Sequence, residues 1–409
     1  LGDLRKTWLE GIAEGRGRPE AATAAEDGPH AAHLAVERGL ADAVAFEEPA
    51  RAEARSAAGA VRDVTLFGGG RDSDGPDLGQ LVKLLAGSPG GLAPVALVRA
   101  VGGISMSGGG GPLGGGGGIT ERELSKVLRR VERDDAVKAV VLRIDSPGGS
   151  ALASDLLWHR LMEVRKKKPL VVSIGEMAAS GGYYLASAGT TIVAEPTSIV
   201  GSIGVVGGKV GLGRALEPYG VHAVTFPAKA GDAAAASRAS YLSTFTPWDD
   251  PTKVRVLETM AGVYDLFLTR IAAGRSMPRE RIEPSAEGRI FSGREGKERG
   301  LVDELGGLAE AIALAKRLAQ LEEGARVAAV GERGGFMDAL GSDDDEAGAR
   351  AAAAIPGAVV PTAAHPGASP VLSALEELAP EVLTTARAFW PLARGERALV
   401  ALPFGLTVR

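Results

Sequence analysis

The sequence predicts an α/β fold with a largely parallel sheet, because two kinds of sequence pattern alternate along it. Short apolar runs, such as residues 137–145, alternate along the chain with amphipathic helical patterns, such as residues 120–134. Strands that alternate with helices are typical of parallel sheets whose two faces are covered. The length of 409 residues exceeds that of one compact core and therefore indicates two or more structural units.

The predicted elements follow one another in a regular order. Thr120 and Glu123 fit a capping box at the start of one helix. Pro169 ends another helix, because a proline disfavours helical geometry in the residue before it. In chain order we predict a strand at 94–101, a helix at 120–134, a strand at 137–145, a helix at 150–168, a strand at 169–176, a helix that begins near residue 180, strands at 190–196 and 199–206, a short helix at 213–220, and mainly helices from 249 to 320.

The composition excludes several classes of function. A formal charge of −5 gives no basic signal for nucleic acid binding. The chain has no cysteine, which excludes disulfides and thiolate metal sites, and its five histidines form no HExxH pair. We therefore expect neither a metal nor a cofactor. No stretch reaches the roughly 18–20 uncharged apolar residues that a membrane span requires.

Two short blocks near the start of the chain recur in the same order much later. "IAEGRGRP" (12–19) and "ERGLAD" (37–42) resemble "IAAGRSMP" (271–278) and "ERGLVD" (298–303). The separations between the matching blocks are nearly equal, which favours a tandem duplication over chance similarity. Because the chain begins at Leu1 inside a helical pattern, we expect most of the first copy to lie upstream.

The duplication divides the chain into four predicted parts. These are the tail of a truncated first repeat at 1–55, a linker at 56–91, a complete second repeat at 92–320, and a low-complexity segment with a C-terminal helix at 321–409. Residues 105–118 are rich in glycine and lack the Gly-Lys-Ser/Thr of a phosphate-binding motif, so we expect a flexible loop there.

The stretch "GEMAASGGYYLASA" (175–188) places Ser180 among very small residues, where a predicted strand leads into a helix. One interpretation is a helix cap, because a serine hydroxyl accepts a hydrogen bond from the first helical turn. The other is a nucleophile, because small neighbours admit a substrate backbone and a helix start stabilises negative charge. This stretch alone leaves both interpretations open.

A second turn of small residues precedes this one by a single strand–helix unit. In "RIDSPGGSALAS" (143–154), Gly148 and Gly149 follow Pro147 at the end of a predicted strand. Glycines can turn their backbone N–H groups outward without steric cost, and such donors can hold a developing oxyanion. A simple tight turn is the alternative. The two turns together favour a site that supplies both donors and a hydroxyl.

These motifs resemble the signal peptide peptidase A family, serine proteases of the Clp protease/crotonase superfamily. The resemblance rests on "DSPGGS", "MAASGGYY" and "GSIGVVGG" with the spacing between them, and it covers residues 94 to 320. It implies a Clp protease/crotonase-like fold, a repeated β-β-α superhelix with a helical C-terminal part. The repeated blocks in residues 1–55 fit the long form of the family, which contains two tandem copies.

The resemblance also implies roles for individual residues. Ser180 matches the nucleophile, Gly181 and one of Gly148 or Gly149 match the oxyanion donors, and Ser202 matches a serine that orients a catalytic lysine. For Ser202, a hydroxyl at a turn or strand end is the alternative. The residues themselves leave open which of the two glycines is the donor.

The general base is where this sequence departs from the family pattern. In the short form the base is a lysine, and alignment places Gly231 at its position, two residues after Lys229. In the long form the lysine belongs to the first copy, which we expect upstream of Leu1. We therefore interpret Lys229, and also Lys209, as solvated surface residues. A lysine acts as a base only where desolvation lowers its pKa.

The resemblance implies peptide substrates, released signal peptides above all, and a homo-oligomer that is a tetramer in the full-length form. It also implies a membrane anchor in the upstream part and a catalytic part outside the cytoplasm. Two alternatives stay open: an acyl-CoA enzyme of the crotonase type, which needs an oxyanion hole but no serine, and an inactive assembly module. The missing lysine keeps the second alternative open for this chain alone.

Overall fold

The computed structural model describes residues 1–59, 92–106, 118–209, 211–228 and 232–331, and the backbone of residues 399–401. The helices are α1 (Gly2–Arg16), α2 (Pro19–Glu26), α3 (Ala32–Glu37), α4 (Glu47–Ala58), α5 (Glu121–Arg133), α6 (Ala151–Lys167), α7 (Gly181–Ala186), α8 (Gly213–Leu216), α9 (Ala233–Ala239), α10 (Asp250–Arg275), α11 (Arg279–Ile282), α12 (Gly293–Glu298) and α13 (Leu308–Leu318). The strands are β1 (Val95–Val101), β2 (Ile104–Ser105), β3 (Ile119–Thr120), β4 (Ala139–Ser146), β5 (Gly148–Ser150), β6 (Leu170–Ala179), β7 (Thr191–Ala194), β8 (Ile199–Gly201), β9 (Ile290–Ser292), β10 (Glu304–Leu305), β11 (Val327–Val330) and β12 (Leu399–Ala401).

The main sheet has the strand order β10-β7-β6-β4-β1-β11, and the strands along this path pair in parallel. The far end of β6 pairs with β8, which pairs in turn with β9. The predicted α/β class with a largely parallel sheet is confirmed. Each parallel connection returns the chain through a helix, so the carboxyl ends of β4 and β6 meet at one edge of the sheet.

The sheet is covered on both faces, as its continuous apolar strands predict. On one face, Leu314 of α13 packs with Val141 and Val171, whose side chains are buried. On the other face, α5, α6, α7 and α10 pack over a larger buried cluster that includes Leu142 and Tyr184. Because successive strand residues point to opposite faces, the apolar run of β4 serves both cores.

A second, smaller sheet lies beside the carboxyl end of β4. Its order is β12-β5-β2-β3, and Gly149 stands opposite Ile104 on one side and Val400 on the other. The pairing of β5 with β12 is antiparallel. The glycine pair of the predicted turn therefore forms a short central strand.

Some sequence predictions differ from the structure in extent. The strand predicted at 199–206 ends at Gly201, because Ser202 has a φ of 50° and turns the backbone out of the extended region. The segment from 321, predicted as low-complexity, contributes β11, in which Val327 pairs with Val95. The predicted C-terminal helix and most of the predicted glycine loop lie outside the described residues.

The first 59 residues pack against α6 and α10. The Phe46 ring stacks on His159 of α6, with ring centroids 3.7 Å apart. Arg270 of α10 lies over the same Phe46 ring at 5.0 Å, and Asp27 forms an ion pair with Arg255 of that helix. Stacked rings and paired charges thus fix the N-terminal segment on the α/β part of the chain.

The first pair of repeated sequence blocks, residues 12–19 and 37–42, meets at a corner that one arginine holds together. Arg16, in the last turn of α1, donates from Nε to the Gly39 carbonyl oxygen at 2.8 Å. Its guanidinium also pairs with Asp42 at 2.6 Å. Gly39 has a φ of 74°, a value that favours glycine. One arginine therefore holds the end of a helix to the turn of the "ERGLAD" block.

The second pair of blocks builds the same corner. Arg275, in the last turn of α10, donates from Nη2 to the Gly300 carbonyl oxygen at 3.1 Å and pairs with Asp303 at 2.5 Å. Gly300 has a φ of 77°. In both pairs of blocks an arginine thus binds the carbonyl group of the turn glycine and the following aspartate, although a different guanidinium nitrogen donates to the glycine.

Candidate active site

Ser180 stands where β6 ends and α7 begins, in a strained backbone conformation. Its φ of 53° and ψ of −114° lie outside the regions that non-glycine residues favour. Strain of this kind costs of order 1–3 kcal/mol and is concentrated at functional sites. The Ser180 N–H donates to the Gly201 carbonyl oxygen at 2.8 Å, which fixes the elbow on β8.

The Ser180 side chain is buried, and its hydroxyl has no hydrogen-bond partner among the described residues. It makes no cap bond to α7, so the cap interpretation of this serine is not realised in the structure. A buried polar group without a partner costs about 1–3 kcal/mol. A hydroxyl held in this state has its acceptor and donor capacity free for another group.

All residues of α7 are buried, and tyrosines anchor this short helix. The Tyr183 hydroxyl donates to the Leu301 carbonyl oxygen at 3.0 Å, and the Tyr184 hydroxyl donates to Asp155 at 2.9 Å. The Tyr184 ring stacks on Phe267 with centroids 4.4 Å apart. Burial raises the pKa of both tyrosines, so their hydroxyls stay protonated. The helix that follows Ser180 is therefore held rigidly.

The glycine pair of β5 adopts a conformation that suits glycine. Gly148 has a φ of 105° and Gly149 a φ of 153°. A Cβ on Gly149 would lie 2.1 Å from the Ile104 carbonyl oxygen, so a larger residue cannot stand there without a shift of β2. The Gly148 N–H donates to the Ser146 hydroxyl at 3.2 Å. Gly148 therefore has its donor engaged within the turn.

The two turns are in direct contact, as their positions in the sequence predict. A Cβ on Gly181 would lie 3.1 Å from Gly148 Cα and 2.7 Å from the Ser154 hydroxyl. A Cβ on Gly182 would lie 2.6 Å from the Ser146 carbonyl oxygen. The small residues after Ser180 thus allow the start of α7 to approach the glycine turn.

Ser202 is the last of the predicted site residues, and it lies directly beyond β8. It is buried, its φ is 50°, and its N–H donates to the Arg289 carbonyl oxygen at 2.7 Å. The preceding residue, Gly201, accepts the Ser180 N–H. The structure therefore brings Ser202 next to the Ser180 elbow through one backbone hydrogen bond.

Of the two candidate base lysines, the structure describes Lys209. Lys229 and the aligned Gly231 lie outside the described residues. Lys209 is half-buried rather than fully solvated as expected, and its Nζ donates to the carbonyl oxygens of Ser240 and Tyr241, at 3.0 and 3.2 Å. Burial lowers the pKa of Lys209, but its ammonium is engaged by carbonyl acceptors.

Sequence reasoning considered the glycines of "DSPGGS" and missed the roles of Asp145 and Ser146. The Ser146 hydroxyl donates to the Gly102 carbonyl oxygen at 2.7 Å, besides accepting the Gly148 N–H. The Asp145 carboxylate accepts backbone N–H groups of β6, a strand-to-strand contact. The letters were visible in the motif, but Gly102 and the β6 partners of Asp145 are distant in sequence.

Within the described residues, no cluster of three or more histidine and acidic side chains could hold a metal ion. None of the helices in the described ranges combines the length and apolarity of a membrane span.

Comparisons with known proteins agree with this geometry. The model of Peptidase family S49 matches residues 162–322. The serine protease SPPA of Arabidopsis thaliana chloroplasts is 32% identical over 328 residues, which are 78% of this chain and 46% of that protein. Protease 4 of Haemophilus influenzae is 34% identical over 48% of this chain and 31% of that protein. The chain thus spans less than half the length of either relative.

Two further matches each cover about half of this chain. The putative protease slr0021 of Synechocystis is 34% identical over 204 residues, which are 50% of this chain and 70% of that protein. A ClpP1 mutant of Listeria monocytogenes aligns with 53% of this chain and 94% of that chain, at 14% identity and a TM-score of 0.33. With its matching family model and its relatives, the chain belongs to peptidase family S49, the SppA-type serine proteases of ClpP/crotonase-like fold.

Proposed function

We propose that this chain carries the nucleophile of a serine endopeptidase, and that Ser180 is that nucleophile. The observation that carries the proposal is the strained, buried Ser180, whose hydroxyl lacks a partner among the described residues and abuts a glycine turn. A serine hydroxyl attacks a peptide carbonyl once a base takes its proton, and a tetrahedral intermediate with a negative oxygen follows.

The oxyanion donors in this proposal are the backbone N–H groups of Gly149 and Gly181. Gly148 is the weaker candidate, because its N–H is engaged by the Ser146 hydroxyl. Gly181 begins α7, and the first N–H groups of a helix have no partner inside it. Loss of one such donor typically costs about 2.7–4 kcal/mol of transition-state stabilisation.

The substrate is an extended peptide that pairs with the edge of β5. In support, this edge already pairs antiparallel with a strand, since Val400 of the same chain stands opposite Gly149. Backbone pairing recognises main chain rather than particular side chains. Released signal peptides and other membrane-associated peptides are the substrates that this proposal names, because a relative is called a signal peptide peptidase SppA.

The base is a lysine supplied by another copy of the repeat. The matching corners of Arg16 and Arg275 support this, because residues 1–55 then form the tail of an equivalent unit. Close packing of copies would place a lysine beside Ser180 and make the full-length protein a homo-oligomer, a tetramer in this proposal. Its anchor lies in the membrane, and its sites lie outside the cytoplasm.

A different function for the 409-residue chain alone has one observation in its favour. No base contacts the Ser180 hydroxyl within the described ranges, which suits a unit that is inactive until it is assembled. The acyl-CoA alternative has no comparable support, since such an enzyme has no use for a strained serine.

Labelling with a fluorophosphonate, followed by peptide mass spectrometry, tests the proposal in the full-length protein. We expect one adduct on Ser180, and we expect peptide cleavage to disappear in proportion to labelling. An adduct on another residue, or unchanged cleavage after Ser180 is fully labelled, would overturn the assignment.

A further inference from the structure

We infer that Asp145 is a positioning residue that sets the placement of Ser180, an inference that rests on the proposed peptidase function. Asp145 does not take part in the proposed chemistry itself. Its carboxylate joins the strand that leads to the glycine turn to the strand that leads to Ser180.

The feature that requires such a residue is a break in strand pairing. β4 and β6 pair in register from Val140 opposite Leu170 to Ile144 opposite Ile174. The next pair is Ser146 opposite Ala178, so β6 uses two more residues than β4 across this step. A bulge of this kind interrupts the ladder of hydrogen bonds and re-aims the strand that carries it.

The Asp145 carboxylate takes up the N–H groups that the bulge releases. Its Oδ1 accepts from the Glu176 N–H and from the Met177 N–H, the latter at 3.3 Å. Gly175 packs against the same group, because a Cβ there would lie 2.2 Å from Asp145 Oδ2. A second polar contact fixes the bulge from its other side, where the Ser198 hydroxyl donates to the Gly175 carbonyl oxygen at 2.6 Å.

The backbone of Asp145 serves the other turn of the site. Its carbonyl oxygen accepts the Gly102 N–H at 2.8 Å, while the Ser146 hydroxyl donates to the Gly102 carbonyl oxygen. Gly102 directly follows β1 and begins the two-residue link to β2, the neighbour of the glycine strand β5. One residue therefore holds the glycine turn with its main chain and the serine strand with its side chain.

The bulge determines where β6 goes next. Beyond it, Met177, Ala178 and Ala179 pair with β8, and the following residue is Ser180. If the bulge loosens, the elbow moves relative to Gly149, whereas the edge of β5 that pairs with a peptide stays in place. A displacement of about 1 Å at a reacting group can cost 100-fold in rate. We therefore expect loss of Asp145 to lower kcat and to leave KM unchanged.

Asp134 offers a matched control at the opposite end of β4. Its carboxylate also accepts two backbone N–H groups, from Leu92 at 3.1 Å and from Ala136 at 2.9 Å. Both aspartates thus satisfy released backbone donors, but only Asp145 does so beside Ser180. If carboxylates of this kind served stability alone, the two substitutions to alanine would have the same kinetic consequence.

The test measures kcat and KM on a fluorogenic peptide, and the thermal midpoint, for four forms of the full-length protein. These are the wild type, Asp145→Ala, Asp145→Asn and Asp134→Ala. We expect Asp145→Ala to lower kcat by about tenfold or more with KM within about twofold. Asp134→Ala should lower the thermal midpoint and leave kcat unchanged. Asp145→Asn should restore most of kcat, because one amide oxygen can replace Oδ1, which accepts both bonds.

The outcomes separate this inference from the proposed function. If the wild type shows no cleavage that depends on Ser180, the proposed function fails. If cleavage depends on Ser180 but Asp145→Ala and Asp134→Ala have the same kcat, Asp145 has no positioning role and the inference is wrong. Equal losses in Asp145→Ala and Asp145→Asn would also overturn it.

A double substitution supplies a second check that does not depend on turnover. Gly175→Ala should lower the thermal midpoint, because its new methyl group collides with the Asp145 carboxylate. In Asp145→Ala/Gly175→Ala that carboxylate is absent, so the two losses should be less than additive. Strict additivity would show that the close contact of Gly175 with Asp145 is not what fixes the bulge.

Discussion

The two ends of the central parallel strands use similar groups for different purposes. At the amino end, Lys168 donates to the carbonyl oxygens of Val131 and Asp134, both at 2.6 Å, and the Thr190 hydroxyl accepts the Leu170 N–H at 3.2 Å. Every polar group named here has a partner. At the carboxyl end, by contrast, a buried hydroxyl lacks one among the described residues, and the backbone is strained.

This difference indicates that the carboxyl end of the central strands lowers the stability of the protein while the fold is kept. Strain and an unpartnered hydroxyl persist only when the surroundings hold them, here the buried helix α7 and the glycine contacts. The paired groups at the amino end stabilise the fold, whereas the strain and the unpartnered hydroxyl at the carboxyl end destabilise it. Substitutions at the two ends should therefore change stability and activity independently, which the following predictions test.

The largest expected effect is that of Ser180→Ala. Turnover by the full-length protein should fall by about 10⁴-fold or more, because the attacking group is absent. In the 409-residue chain, the free energy of unfolding should rise by about 1 kcal/mol, because a buried hydroxyl without a partner is removed. Thr190→Ala is the matched change at the amino end and should lower stability with turnover unchanged. Denaturant titration measures the free energy of unfolding, and peptide cleavage measures turnover. A Ser180→Ala protein that is less stable than the wild type would contradict the expected difference between the two ends.

Gly181→Ala should lower turnover by about 100-fold. The added methyl group meets the Ser154 hydroxyl and Gly148 Cα, so it separates the two turns by a few tenths of an ångström or more. Ser154→Ala removes the shortest of these contacts. The double variant should therefore recover part of the lost kcat, and an unchanged kcat in Gly181→Ala would show that the turns tolerate separation.

Ser146→Ala should lower kcat by about tenfold and the free energy of unfolding by about 1–3 kcal/mol. It leaves the Gly148 N–H and the Gly102 carbonyl group without their partner. Ser187→Ala is the matched control, because that hydroxyl also makes two buried hydrogen bonds, to Trp158 and Tyr184. We expect the same loss of stability there with kcat unchanged. Equal kinetic losses in both variants would mean that general destabilisation explains the effect.

The smallest expected effect is a pH dependence at Asp134. Hydrogen bonds from the N–H groups of Leu92 and Ala136 lower the pKa of its carboxyl group. The stabilisation is therefore present above the ordinary pKa of about 3.9 and is lost as pH falls through the lowered value. The stability difference between the wild type and Asp134→Asn should narrow as pH falls from about 6 toward 3. Denaturant titrations across this range, with unchanged kcat near pH 7, check it, and a widening gap would contradict the sign.

The sequence was a good guide to what is local. Apolar runs predicted β1, β4, β6 and β7, and small residues at two strand ends predicted that Ser180 and the glycine pair meet. The early end of β8 was not predictable, because only tertiary contacts hold Ser202 at positive φ. The roles of Asp145 and Ser146 were missed because the N–H groups of β6 and the Gly102 carbonyl group are distant in sequence. The pairing of β5 with β12 joins residues some 250 positions apart.

The strand pairing of residues 399–401 with β5 has a consequence for measured affinities. A segment tethered to its own docking edge competes with a free peptide at an effective concentration that depends on the connecting chain. A free peptide that uses the same edge binds only the fraction of molecules in which the tether has left. Its apparent dissociation constant is then the intrinsic value divided by that fraction. Measured affinities would therefore reflect the occupancy of the edge as much as the fit of the peptide.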